Sequence, residues 1–111
     1  MTEVEIYLNE DREYRFTEQE NAHRKFALWY WTTRTGEEAA EEAFHISNAP
    51  DELLSEREKD IKLRWKGRAL SVGDAVLVRP KPYGTYQDKS YLCCSSGWKE
   101  LKLATLSRDE K

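Results

Sequence analysis

The sequence is poor in the residues on which most catalytic and cofactor sites depend. Among its 111 residues are two histidines, two cysteines and five glycines. The two cysteines are adjacent, so the chain has neither a CxxC redox motif nor the ligand spacing of a zinc site. Neither histidine lies in a recognisable nucleophile–base setting, and no glycine-rich phosphate loop is present. We therefore expect no catalytic residues, no metal site and no cofactor, and a protein that is not an enzyme.

Long apolar runs are also missing. The longest stretch without charge is far shorter than a membrane span. The N-terminus is acidic from Glu3, so we expect neither a span nor a signal peptide. Two cysteines without a secretion signal are typical of a reducing compartment. We expect a cytoplasmic protein of a bacterial cell, with no membrane partner.

The adjacent cysteines, Cys93 and Cys94, are predicted to be packing residues. The segment KSYLCC has the composition of a strand, in which neighbouring side chains point to opposite faces of the sheet. Two such thiols cannot hold one metal, and a disulfide between neighbours is badly strained. We expect one cysteine in the core and the other against a second layer or solvent.

Aromatic residues, by contrast, are plentiful, at 12% of the chain. A chain of this length folds as one domain that buries roughly two-thirds of its unfolded surface. We expect a single α+β domain over residues 1–106 and a flexible charged tail over residues 107–111. The predicted large core residues are Trp29, Trp31, Phe44, Val76, Val78, Leu92 and Trp98.

The hydrophobic pattern predicts a mainly antiparallel sheet of about five or six strands. Residues 3–8 alternate between apolar and polar, which indicates a half-buried strand. Residues 24–33 are apolar on both faces and favour a central strand. A helix remains the alternative prediction for that segment, because Thr17 and Glu20 would form a capping box before it. Residues 75–78, 89–94 and 98–103 are further strands, with a loop at 80–88 and a tight SSG connection at 95–97.

Residues 36–60 are predicted to form one or two helices that pack on one face of the sheet. Thr35 and Glu38 match a capping box, and alanines then give the first helix a small face until it ends near Asn48. Pro50 can begin a second helix, with Glu58 and Lys62 as an ion pair four residues apart. Its end is open, because residues 61–65 also alternate with the period of a strand.

The charges are unevenly distributed, although the net charge is only −3. Residues 36–60 hold nine acidic and two basic residues, a net of −7, whereas residues 61–81 hold six basic residues and one acidic, a net of +5. An asymmetry of this kind predicts binding surfaces. A solvated helix beside a basic strand rim is the alternative explanation.

Three segments also resemble a known family. They are GEEAAEEAFHISNAP, GRALSVGDAVLV and SYLCCSSGWKEL, and the resemblance around them covers roughly residues 26–101. In this order they resemble the YodL-like group of small, poorly characterised bacterial proteins from plasmids, phages and other mobile elements. The matching residues are Ala40, Glu41, Glu42, Ala43, Phe44 and Asn48, then Leu70, Ser71, Val72, Gly73 and Asp74, then Cys93, Ser95, Gly97, Trp98 and Glu100. The two ends, and the loop PKPYGTYQD, depart from the family pattern.

The resemblance implies a mobile-element setting and no particular reaction. Our first hypothesis is accordingly a non-enzymatic protein-interaction module that acts on host defence or on maintenance of the element, with another protein as its partner. The candidate interaction surface consists of Glu37, Glu38, Glu41, Glu42, Asp74, Ser95, Trp98 and Glu100. The motif residues also have a purely structural interpretation, in which Ser71, Gly73 and Asp74 make a turn before a buried strand.

Two alternatives remain open. The first is a nucleic-acid-binding protein that uses a basic strip with stacking tyrosines on the loop. The strip consists of Lys62, Arg64, Lys66, Arg68, Arg79, Lys81, Tyr83 and Tyr86. The overall acidity of the chain counts against it, because phosphate contacts supply most such affinity. The second and weaker alternative is a DNA mimic, in which the acidic segment 36–60 imitates a phosphate backbone.

Overall fold

The computed structural model describes residues 1–11, 18, 23–80 and 88–101. Lys81, Tyr83, Tyr86 and the predicted tail lie outside the described residues. The elements are β1 (Thr2–Asn9), β2 (Arg24–Thr32), α1 (Gly36–Asn48), a 3₁₀ turn (Asp51–Leu53), α2 (Glu56–Leu63), β3 (Ala75–Pro80), β4 (Lys89–Cys94) and β5 (Gly97–Leu101).

The five strands form one antiparallel sheet in the order β2-β1-β3-β4-β5. The predicted α+β class is thereby confirmed, and residues 24–32 form a strand rather than a helix. The expectation that this strand is central is wrong, because β2 lies at an edge of the sheet that the described residues form and pairs there with β1. On one face of β2, Ala27, Leu28 and Tyr30 belong to the larger apolar cluster, whereas Trp29 and Trp31 on the other face remain partly exposed. Ala27 forms a bulge in β2, since Ile6 pairs with Leu28 and Tyr7 with Phe26.

Helix α1 packs over β3 and also contacts β1, β4 and α2. The face that it presents is made of alanines, and Ala39, Ala40 and Ala43 are fully buried. Because these side chains are small, the helix can approach the sheet closely, against Val76 and Val78 of β3. This layer holds the larger of the two apolar clusters, and Tyr30 is its largest fully buried side chain.

A second apolar cluster occupies the opposite face of the sheet. It contains Tyr7, Leu77 and Leu92, with Phe26 and Cys94 packed at its margin. The rings of Tyr7 and Phe26 meet edge-on, with their centroids 5.8 Å apart. Both faces of the central strands are therefore buried, which is why β3 is apolar at every position from 75 to 78.

The predicted core is correct for its aliphatic members and wrong for its aromatic ones. Val76, Val78 and Leu92 are buried, but Trp31 and Phe44 are 39% and 37% exposed. Trp29 and Trp98 are half-buried. The three tryptophans lie on the edge strands β2 and β5, and Phe44 lies outside the buried face of α1. Trp29 and Trp31 also contact each other edge-on, with their centroids 5.6 Å apart.

The helix caps differ from the prediction. Thr35 begins α1 but makes no side-chain capping bond, because Gly36 follows with φ of 55° and changes the geometry that a capping box needs. The capping box forms at α2 instead. The backbone N–H of Ser55 donates to Glu58 Oε1 at 2.8 Å, and the backbone N–H of Glu58 donates to Ser55 Oγ at 3.2 Å. These bonds hold the pKa of Glu58 below its ordinary value.

Helix α2 continues to Leu63, so residues 61–65 do not form a strand. The predicted ion pair between Glu58 and Lys62, both of which the structure describes, does not form. Glu58 is engaged by Ser55, and Lys62 Nζ donates to the carbonyl of Ala49 at 2.8 Å. Lys62 therefore ties the end of α1 to α2 instead of supporting its own helix.

The fully buried carboxylate of Asp74 links the strands. It accepts hydrogen bonds from Arg68 Nη1 at 2.6 Å and Arg68 Nη2 at 2.7 Å. It also accepts from the backbone N–H of Asn9 at 2.7 Å and of Ser71 at 2.8 Å. The backbone carbonyl of Asp74 accepts from the N–H of Cys93 at 2.8 Å. One residue thus fixes the end of β1, the start of β3 and the C-terminal end of β4.

A turn over residues 71–74 places Asp74 at this position. Gly73 has φ of 98°, a left-handed conformation that favours glycine, and the N–H of Asp74 donates to the carbonyl of Ser71 at 3.0 Å. The predicted turn at Ser71, Gly73 and Asp74 is therefore confirmed. Arg24 Nε on β2 donates to the carbonyl of Gly73 at 2.9 Å, so the turn also holds the edge strand.

We predict that Asp74→Ala lowers the free energy of unfolding by about 3–5 kcal/mol, because it leaves the charge of Arg68 and two backbone N–H groups without their acceptor. Urea unfolding followed by circular dichroism measures this. The control is Asp60→Ala, which removes an exposed carboxylate 3.9 Å from Arg64 Nε and should change stability little. Equal stability of the two variants would contradict the structural role of Asp74.

Candidate interaction surface

Helix α1 and strand β5 meet through an aromatic pair and a carboxylate. Trp98 Nε1 donates to Glu41 Oε1 at 2.6 Å. The rings of Trp98 and Phe44 meet edge-on, with their centroids 6.5 Å apart and their planes at 88°. Phe44 is exposed and Trp98 is half-buried against the larger apolar cluster. The indole is therefore held in one orientation while part of its surface faces solvent.

Two further carboxylates, those of Glu37 and Glu100, lie near Tyr91 beside the aromatic pair. Tyr91 on β4 lies opposite Glu100 on β5 in the sheet register. Its Oη lies 3.7 Å from the position of a Cβ added to Gly36, so it sits beside the start of α1. Burial, and then the negative charges of Glu100 and Glu37, raise the pKa of Tyr91. We call this group the α1–β5 surface, and it consists of Glu37, Glu41, Phe44, Tyr91, Trp98 and Glu100.

Two residues of the predicted interaction surface are buried structural groups. Asp74 is fully buried and engaged in the network described above. Glu42 accepts a hydrogen bond from Tyr30 Oη at 3.2 Å, and its Oε2 lies 3.4 Å from Arg34 Nε and 3.3 Å from Arg57 Nη1. The helical period places Glu42 on the buried face of α1 with Ala39 and Ile46 and places Glu41 off it, so the spacing held a signal that separates the two carboxylates.

The remaining two predicted residues are exposed. Ser95 is at the tip of the hairpin between β4 and β5, and its N–H and Oγ donate to Glu18 Oε2 at 3.1 and 3.2 Å. Glu38 lines a cleft of about 390 Å³ that residues of both α1 and α2 border. The described lining of that cleft is Arg34, Glu37, Glu38, Glu41, Glu42, His45 and Glu58.

The described part of the chain contains no cluster of three or more His, Cys, Asp or Glu side chains that could hold a metal ion. In the same part, no helix is both long enough and apolar enough to cross a membrane.

The basic strip does not form one surface among the described residues. Arg68 is bound to Asp74, and Arg79 Nε lies 3.7 Å from Asp88. Lys62 is bound to the end of α1. Arg64 and Lys66, however, meet in a cleft beside β2, together with Trp29 and other residues that the sequence did not connect to them.

The adjacent thiols divide between the two faces, as predicted. Cys93 is buried in the larger cluster and Cys94 is half-buried at the margin of the other. Burial raises the pKa of Cys93 to about 12, and the charge of Asp74 adds to the effect. Burial also raises the pKa of Cys94. At neutral pH both groups are protonated thiols, which are poor nucleophiles.

Comparison with protein-family models, curated proteins and solved structures finds no match to this chain. The resemblance to the YodL-like group therefore stays a prediction, carried by the three motifs.

We predict that the thiol of Cys93 is almost inert in the folded protein. A rise of the pKa from 9.0 to about 12 lowers the thiolate fraction near pH 8 about a thousandfold. The measurement is the rate of labelling of Cys94→Ser with an aromatic disulfide reagent, in buffer and in urea. Cys93→Ser, which retains Cys94, is the comparison and should label faster when folded. A labelling rate of Cys93 that is the same in buffer and in urea would contradict the prediction.

Proposed function

We propose that the protein is a small, non-enzymatic protein-interaction module that binds its partner through the α1–β5 surface. The observation that carries the proposal is the half-exposed Trp98, oriented by Glu41 and packed edge-on against the exposed Phe44. Tryptophan is enriched among the residues that contribute most to protein interfaces. A ring that is already fixed also loses little conformational entropy when a partner binds.

The charge of the surface favours a basic partner. Among the described residues, Glu37 makes no ion pair, and the one hydrogen bond given for Glu41 comes from the neutral indole of Trp98. Glu100 Oε1 lies 3.8 Å from Lys89 Nζ. Complementary charge accelerates association and selects among partners. We therefore expect a partner that presents lysine or arginine beside an apolar group.

The DNA-mimic alternative is weaker, because much of the charge of residues 36–60 is paired locally. Glu42 lies between Arg34 and Arg57, and Glu56 Oε2 lies 3.2 Å from Lys59 Nζ. Ion pairs of this kind interrupt the regular row of bare carboxylates that imitation of a phosphate backbone requires. The uncompensated carboxylates instead gather beside aromatic rings, an arrangement that suits a protein partner.

The biological setting rests on the family resemblance. Its motif residues divide into two groups, since Ser71, Gly73 and Asp74 build the buried turn whereas Phe44 and Trp98 lie on the α1–β5 surface. This division supports a binding role for the exposed group. We place the module in the cytoplasm of a bacterium that carries a mobile element, where it acts on host defence or on maintenance of the element.

The test is capture of partners from a bacterial lysate by the immobilised protein, with and without nuclease, read by mass spectrometry. We expect nuclease-resistant capture of one protein, and a loss of roughly tenfold or more in Glu37→Lys/Glu41→Lys and in Trp98→Ala. The first variant reverses charge on the surface, and the second removes the ring.

The matched control is Glu52→Lys/Glu56→Lys, which makes the same change of charge at two exposed positions of the acidic segment. It should capture the partner as well as the unmodified protein does. Capture that survives both surface variants, or that disappears with nuclease, would contradict the proposal.

A further inference from the structure

A second cleft lies at the opposite edge of the sheet, where the chain passes β2 after leaving α2. It has a volume of about 430 Å³, within the range of small-molecule sites. Its walls are apolar and aromatic on the β2 side and basic on the other. The described lining residues are Glu3, Phe26, Ala27, Leu28, Trp29, Arg64 and Lys66.

The aromatic wall is held in place. Trp29 Nε1 donates to the carboxylate of Glu3 on the neighbouring strand, and Trp29 contacts Trp31 edge-on. Trp29 and Phe26 are half-buried, so each ring is supported and partly open. A supported, partly exposed indole is a platform on which a planar base stacks.

The basic wall, formed by Arg64 and Lys66, is also held in place. Trp65 and Gly67, which alternate with these two residues in the sequence, fix its backbone. Trp65 packs against the larger apolar cluster, and its Nε1 donates to the carbonyl of Arg68 at 2.9 Å. Gly67 has φ of 100° and approaches Leu8 so closely that an added Cβ would lie 3.0 Å from Leu8 Cδ1. The backbone around Arg64 and Lys66 is therefore fixed while both side chains are exposed.

The two cations are available to an anion. Within the described part of the chain, Lys66 makes no ion pair and Arg64 makes one, the exposed contact with Asp60 at 3.9 Å. Contacts of this kind contribute little and are easily exchanged. Two positive charges match a terminal phosphate monoester, which carries close to two negative charges at neutral pH, better than they match a singly charged phosphodiester. The carboxylate of Glu3 lies in the same cleft, bound to the indole of Trp29.

We propose that this cleft is a binding site for a nucleoside monophosphate, whose base stacks on Trp29 and whose phosphate binds Arg64 and Lys66. The size of the cleft, its aromatic wall and its pair of cations together fit a single free nucleotide. The site shares no residue with the α1–β5 surface and does not depend on the proposed function.

The test is titration of the full chain with AMP at low ionic strength, followed by calorimetry and by tryptophan fluorescence. We expect a Kd below about 1 mM and quenching of the fluorescence. Adenosine, which lacks the phosphate, should bind at least roughly tenfold more weakly than AMP. Added salt should lower the affinity for AMP. In Trp29→Phe the quenching should disappear while the calorimetric affinity changes less than about threefold, since phenylalanine also stacks.

Arg64→Gln/Lys66→Gln should lower the affinity for AMP roughly tenfold or more. The control, Lys59→Gln/Lys89→Gln, removes the same charge elsewhere and should leave the affinity unchanged. Equal affinity for AMP and adenosine, or no binding of AMP up to about 5 mM, would overturn the proposal. If a 5′-phosphorylated oligonucleotide binds more tightly than AMP, the ligand is the 5′ end of a nucleic-acid strand and the proposal of a free nucleotide is overturned.

Discussion

The ion pair between the fully buried Asp74 and the partly buried Arg68 is the constraint on which the rest of this structure depends. A fully buried carboxylate is costly unless a cation and several hydrogen-bond donors satisfy it. Here the donors come from Arg68, from Asn9 at the end of β1 and from Ser71 before β3. The hydrogen bond to Asp74 also raises the pKa of Arg68, so the guanidinium stays charged. Strands distant in the sequence are thereby fixed in one register.

The same logic divides the acidic residues into structural and exposed groups. Asp74 and Glu42 are buried and fully engaged, and their contribution is to hold elements together. Glu37, Glu41 and Glu100 remain at the surface, near aromatic rings. The two edges of the sheet consequently differ in character. Strand β5 borders an acidic aromatic surface, and strand β2 borders an aromatic cleft with two cations. A protein of small net charge thus presents two local surfaces of opposite sign.

Sequence patterns were sufficient for the α+β class and for most of the elements. Alternation indicated β1, turn residues separated β3 to β5, and the alanine face predicted how α1 lies on the sheet. These features depend on residues close together in the chain, where the period of burial and the conformations of glycine and proline act directly. The same locality explains the correct prediction that Cys93 and Cys94 divide between two faces, because neighbours in a regular strand without a bulge do so.

What only the tertiary structure decided is which side chains of similar type are buried, paired or exposed. The local pattern cannot show that Glu42 is paired, because Arg34 and Arg57 reach it from outside the helix. It cannot show that Trp31 is exposed, since exposure follows from the place of β2 at an edge. Nor can it join Lys66 to Trp29, which are far apart in the chain. The sequence determined the elements because their energetics are local, whereas the sites depend on long-range contacts that exist only once the sheet is assembled.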